Sequence, residues 1–186
     1  MKSTIRNPGM RQVIGLGLLF WLIAGSGNAS PLFEDSFMLE VTLSGPFGTL
    51  IREARQKTDL PFSISTGEET LAVELRGRGH SRLKVCDFPP LRMTFPKPPP
   101  VGSVFTGQDK IKMVTHCRHS ARGEQDMLEE YAAYLILNSV TELSYRVRLL
   151  RARYADRDGV LSSEGESYFA FLIESREEFA ARTGVE

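Results

Sequence analysis

Arg76, Arg78, Arg82, Lys84 and Arg92 fall within one stretch, "RGRGHSRLKVCDFPPLRMTF" at residues 76–95, together with Gly77, Gly79, His80 and Ser81. Glycines and arginines that follow a strand can offer backbone N–H groups and guanidinium forks, the donors an anion requires. The spacing matches neither a Walker loop nor the kinase glycine loop, and taken alone the stretch reads first as a solvated charged turn, with a phosphate cradle as the alternative. Cys86, His116, Cys117 and His119 are side chains of the types zinc prefers. "HCRH" lacks the paired spacing of a zinc knuckle, and a disulfide between Cys86 and Cys117 asks for less; two separate buried thiols are the alternative. A bridge closing about 30 residues would stabilise by roughly 3 kcal/mol in the chain-entropy model. "DRDG" at 156–159 holds two acids and a glycine but lacks the remaining ligands of a calcium loop, and reads as a hairpin turn. His80 or His116 could be drawn with Ser81 as part of a hydrolytic triad, but there is no G-x-S-x-G pattern to support it.

These residues need elements to position them. "FMLEVTLSGP" alternates Leu39, Val41 and Leu43 with Glu40 and Thr42, the period of a half-buried strand. "FGTLIREARQK" reads as a brief helix or an extended linker. "LAVELRGRG", "LRMTF" and "KIKMVTHC" read as three further strands, with a proline-rich connection at 96–100 between the last two. The clearest helix is 124–140: Met127, Leu128, Tyr131, Tyr134, Leu135 and Val140 recur at spacings of three and four, and acids sit in its first turns. "SYRVRLLRARYAD" and "SYFAFLIES" are the final strands, and "REEFAARTG" opens a helix. Strands, one principal helix, then two strands predict an α+β fold with a mainly antiparallel sheet.

The ends of the chain bound its class. Residues 1–12 carry Lys2, Arg6 and Arg11 and no acid; "VIGLGLLFWLIAG" is an uninterrupted apolar run; small residues follow at Gly27 and Ala29. This is the three-part pattern of a signal peptide over 1–29, and the run is short for a membrane span, though an uncleaved anchor is the alternative. The expected product is therefore a single domain, 30–186, exported to a periplasmic or extracellular space, with no transmembrane span after cleavage. Removing three basic residues from balanced totals of 23 and 23 leaves a formal charge of −3. That argues against nucleic acid as a partner, which usually calls for a basic excess.

The order of the parts carries a resemblance. "RGRGHSR…FPPLRMTF", "DKIKMVTHCR", "DMLEEYAAYLILNSV" and "YRVRLLRARYADRDG…YFAFLIES" are similar, in that order, to the N-terminal half of the spore-coat CotH family of secreted, kinase-like proteins. The resemblance covers roughly residues 70–178 and rests on order, since no one motif is specific. It implies a kinase-small-lobe-like domain. It also implies a strand lysine, Lys112, held by a helix glutamate, Glu130, with Lys110 and Glu129 as the next candidates. Arg76, Arg78, Ser81 and Arg82 would face phosphate, and Glu174 would meet an adenine edge. ATP and magnesium would be the cofactors. Thr94 departs from the family pattern, and the segments that would bring a catalytic aspartate and a magnesium-binding acid are not found. The resemblance thus implies a binding lobe, inactive alone, whose partner is a missing C-terminal lobe. The alternative is a non-enzymatic envelope interaction protein that uses an arginine-rich strand face, Arg146, Arg148, Arg151 and Arg153, against an envelope component.

Overall fold

The computed structural model describes residues 31–161 and 165–185. The expected signal peptide at 1–29 lies outside them. Seven strands are described: β1 (Leu39–Gly45), β2 (Leu60–Ser65), β3 (Thr70–Gly77), β4 (Leu91–Thr94), β5 (Lys110–Val114), β6 (Val147–Asp156) and β7 (Ser167–Ile173). Four helices accompany them: α1 (Phe47–Arg52), α2 (Arg82–Val85), α3 (Ala121–Val140) and α4 (Arg176–Thr183). The strands close into a barrel in the order β1-β2-β3-β4-β5-β7-β6. Every neighbouring pair is antiparallel except β1 and β6, which run parallel and close the ring, Leu39 opposite Leu150 through Gly45 opposite Asp156.

This corrects the expected architecture. The sheet closes into a seven-stranded mixed barrel, in which one pairing, β1 with β6, is parallel, and it dominates the molecule; it is not a kinase-like small lobe built around one principal helix. Alternation reports that a strand has one buried face, but not whether the first strand of a chain reaches the sixth. β2 also escaped the sequence reading. Its inward residues Phe62 and Ile64 alternate with the half-buried Ser63 and Ser65, but Pro61 stands at its start, and a proline demotes a run of that kind.

The barrel interior is a packed core, as a small closed barrel requires. Leu43, Ile64, Leu75, Leu91, Met93, Ile111, Leu150 and Tyr154 are all buried within it. Aromatic rings carry much of the fill. Phe47 meets Phe62 edge-on at 4.8 Å and Tyr154 at 5.2 Å, and Phe88 lies 4.6 Å from Tyr154. Gly45 lets the Phe62 ring in: a Cβ there would sit 2.2 Å from that ring. A smaller cluster lies outside the barrel, where α3 covers β7 and β6 and Met127, Phe171 and Ile173 are buried together with Val114 at the end of β5. Double-sided burial explains why β7 ends in four consecutive buried residues.

α3 begins three residues before the predicted start. Ser120 caps it by accepting from the Gly123 amide at 3.1 Å, and Glu124 in its first turn accepts from the Phe169 amide of β7 at 2.8 Å. Its apolar stripe is only partly used. Leu128, Tyr131 and Tyr134 pack on the sheet, whereas Leu135 and Val140 are exposed. α4 carries a capping box between Ser175 and Glu178 and ends at Gly184 in the left-handed conformation, φ 71°.

The "DRDG" segment is a turn, and it does more than reverse the chain. Asp156 is buried; one carboxylate oxygen accepts from the amides of Phe47 at 2.9 Å and Asp158 at 3.0 Å, the other from Val160 at 2.9 Å and Leu161 at 3.0 Å. It thereby ties the start of α1 to the end of β6. Burial alone would raise its pKa, but these backbone donors outweigh burial and hold the carboxyl below its usual value. Cys86 and Cys117 form a disulfide across 31 residues of sequence, joining the segment after α2 to the one after β5. Beside it, the Phe88 amide donates to the Cys117 carbonyl at 3.0 Å.

Candidate functional site

β3, β4 and β5 each send alternate residues outward, and register decides which outward residues meet. Arg76 of β3 stands opposite Arg92 of β4, and Arg92 stands opposite Lys112 of β5. Three cations thus form a row across adjacent strands, backed by the inward Leu75, Leu91, Met93, Ile111 and Met113. Like charges placed directly opposite destabilise a sheet, by roughly 0.2–1 kcal/mol per pair. Arg78 joins the row just beyond β3, its amide donating to the Pro90 carbonyl at 2.8 Å.

Little in the fold neutralises this row. Asp59 lies 3.5 Å from Arg76. Among the described residues, no carboxylate stands within ion-pair distance of Arg78, Arg92 or Lys112. Lys112 sits over the Tyr145 ring, 5.2 Å from its centre. Burial, then the charges of Arg78 and Arg92, push its pKa down, while Glu177 opposes them. Arg78 is pushed down by the same causes, burial first and then Arg82, with Arg92 adding to them; Tyr134 and Glu130 pull the other way. Arg92 therefore disfavours the charged forms of both Lys112 and Arg78, and a bound anion would relieve both at once.

No family model matches this chain, and no curated protein is similar to it.

The residues expected at a phosphate site are placed as follows. Arg76, Arg78 and Lys112 come together on the outer face of β3–β5. Arg82 and Ser81 lie at the start of α2, exposed, and Gly79 before them takes φ 92°, the left-handed region that favours glycine. The Lys112–Glu130 pair is not formed. Glu130 is bonded to Arg82 instead, a part-exposed ion pair that lines a cleft of about 400 Å³ at the start of α3. α3 runs along the outside of the barrel over β7 and β6, and its Glu130 meets Arg82 of α2 rather than the Lys112 side chain. Glu174 is buried; its carboxylate accepts from Arg182 Nε at 3.0 Å, Arg182 Nη2 at 2.8 Å and the Arg146 amide at 3.1 Å. It clamps α4 to the start of β6, with both of its oxygens already engaged within the chain.

The arginines of β6 do not share a face. Arg148 points into the barrel and is buried, while Arg151 and Arg153 point outward, Arg151 stacking 4.1 Å from the Phe169 ring centre. Strand parity alone separates 148 from 151 and 153. Arg92 belongs to the cationic stretch but was not among the residues expected to face phosphate. It stands between Leu91 and Met93, and strand parity already marks it as outward-facing; its two cationic neighbours become visible only through cross-strand register.

The histidine and cysteine cluster resolves differently. His116 is fully buried, stacked 4.1 Å from the Tyr168 ring and 5.0 Å from Phe88, with Nε2 3.3 Å from His119 Nδ1. Burial first, and His119 second, lower its pKa to about 3, so it is a neutral ring near neutral pH. Among the described residues, no three His, Cys, Asp or Glu side chains are grouped to hold a metal ion.

Proposed function

We propose that this chain is an exported, non-enzymatic binding protein of the cell envelope that takes an anionic group on the outer face of β3–β5. The observation that carries this reading is the register of Arg76, Arg92 and Lys112 on three adjacent strands. A fold selected for stability alone would place an acid in such a row, since alternating charges across strands stabilise and repeated ones do not. Arginine forks supply bidentate donors for carboxylate or phosphate, and Lys112 adds a point charge. The disulfide supports export, because such bonds persist in oxidising compartments. No helix among the described residues is long and apolar enough to cross a membrane. Intact mass of the product released into the envelope fraction should correspond to a chain beginning at Ser30; a product that retains residues 1–29 would overturn the export reading.

Binding is tested by calorimetric titration with tripolyphosphate and, separately, with an acidic oligosaccharide. The wild-type protein should bind at least one of them, with affinity falling steeply as salt rises. Arg92→Gln should weaken that binding about tenfold while raising stability to urea by a few tenths of a kcal/mol, because it removes two like-charge contacts. Loss of stability in Arg92→Gln, or binding indifferent to Arg92→Gln and Lys112→Ala, would overturn the proposal.

A further inference from the structure

The cation row on β3–β5 has a second row beside it. Cross-strand register sets Glu74 of β3 opposite Thr94 of β4, and Thr94 opposite Lys110 of β5. These residues share the outward parity of Arg76, Arg92 and Lys112, and none of the six is buried. The two rows run side by side across the strands, about 7 Å apart, the length of two residues of extended chain. One row carries only cations. The other carries a carboxylate, a hydroxyl and an ammonium group.

The cations do not converge on one point. Arg76 leans away from Arg92: its Nε lies 3.5 Å from Asp59, which precedes β2 and so stands on the far side of β3 from β4. Lys112 leans the opposite way. Its Nζ is 5.2 Å from the centre of the Tyr145 ring, which precedes β6 and so stands beyond β7. Neighbouring strands are about 5 Å apart, which separates the two end cations by about 10 Å or more, with Arg92 between them. A single small anion reaches one or two of these cations but not all three. A chain of anionic groups at least one strand spacing apart reaches every one.

The second row decides which chain. In a polyphosphate, neighbouring phosphorus atoms share one bridging oxygen and stand closer together than the strands do. In a chain of sugar acids, each ring carries one carboxylate, and neighbouring carboxylates are a ring's length or more apart. Arginine forks take carboxylates with two parallel hydrogen bonds. Ring hydroxyls need acceptors and donors together, which Glu74, Thr94 and Lys110 supply. A bare polyphosphate has no hydroxyl to give Glu74 and would be repelled by it.

We infer that this face binds an acidic polysaccharide with one carboxylate per sugar ring, its carboxylates on Arg76, Arg92 and Lys112 and its ring hydroxyls on Glu74 and Thr94. The inference rests on the anion-binding reading above and names the class of ligand.

The test is calorimetric titration of the protein with mono-, di-, tri- and pentagalacturonate and, separately, with tripolyphosphate. Affinity should rise at least about tenfold from the monomer to the trimer. It should then level off, because Asp59 and Tyr145 stand at the two ends of the row. Tripolyphosphate should bind about tenfold more weakly than the trimer, which separates recognition of the ring from charge alone. Thr94→Val keeps a β-branched residue at an outward strand position, so a folded variant is expected. It should weaken trimer binding about fivefold, the worth of one hydrogen bond, and leave tripolyphosphate binding unchanged. Equal affinity for monomer and trimer, tripolyphosphate bound as tightly as the trimer, or trimer binding indifferent to Thr94→Val would overturn the inference. In those cases, binding that is weakened by Arg92→Gln would leave the anion site itself standing. Failure of every probe to bind would overturn both.

Discussion

Single residues in this protein are governed by what burial removes from them. His116 is the plainest case. In the unfolded chain it titrates near 6.5, whereas in the barrel its pKa falls to about 3. The unfolded state therefore binds more protons throughout that interval, and stability must fall as pH drops from about 6.5 towards 3. The expected loss is roughly 3 kcal/mol by pH 4, since each pH step below the unfolded value costs about 1.4 kcal/mol. Urea unfolding at pH 7, 5.5 and 4 checks this, and His116→Phe should flatten the dependence over that window; an unchanged slope in the variant would refute it. Asp156 adds a second acid-sensitive contribution of opposite chemistry. Its folded pKa is held down, so its share of stability is present above the unfolded value and is lost as pH falls through the folded one.

Elements meet through a few such residues, and Asp156 shows how. It belongs to β6, yet the amides it satisfies belong to α1 and to the turn leading towards β7. α1 has no side-chain cap of its own; Pro46 stands at its N-cap position. Asp156→Ala should therefore cost roughly 3 kcal/mol, because several buried donors lose one charged acceptor together. Chemical denaturation measures it, and a loss below about 1 kcal/mol would show that water replaces the carboxylate. α3 and α4 were legible as helices because their signals are local: acids in the first turn and, in α3, spacings of three and four. β2 was not, because Pro61 obscured a six-residue alternation that only pairing with β1 and β3 makes a strand.

At the scale of the whole molecule, closure is the decisive event, and the disulfide secures one side of it. Cys86 and Cys117 tie the approaches to β4 and the exit of β5 across 31 residues. Replacing both with serine should lower stability by about 3 kcal/mol in the chain-entropy model. The same loss should follow from reduction of the wild-type protein, and comparison of urea midpoints for the oxidised, reduced and Cys86→Ser/Cys117→Ser forms tests it. Equal midpoints would mean that the unfolded chain is already restricted in this region.

The amino-acid sequence alone determined six of the seven described strands and the two longer helices, since alternation, first-turn acids and helical spacing are local and survive without a partner. It also presented the two cysteines and most of the cations. The tertiary structure alone decided that β1 would run parallel to β6 and close the barrel, and that Glu130 would bond to Arg82 and not Lys112. It likewise brought Arg92 between Arg76 and Lys112. Each of these depends on register between segments far apart in the chain, where a slip of one residue moves every side chain to the other face, and no local pattern encodes that choice.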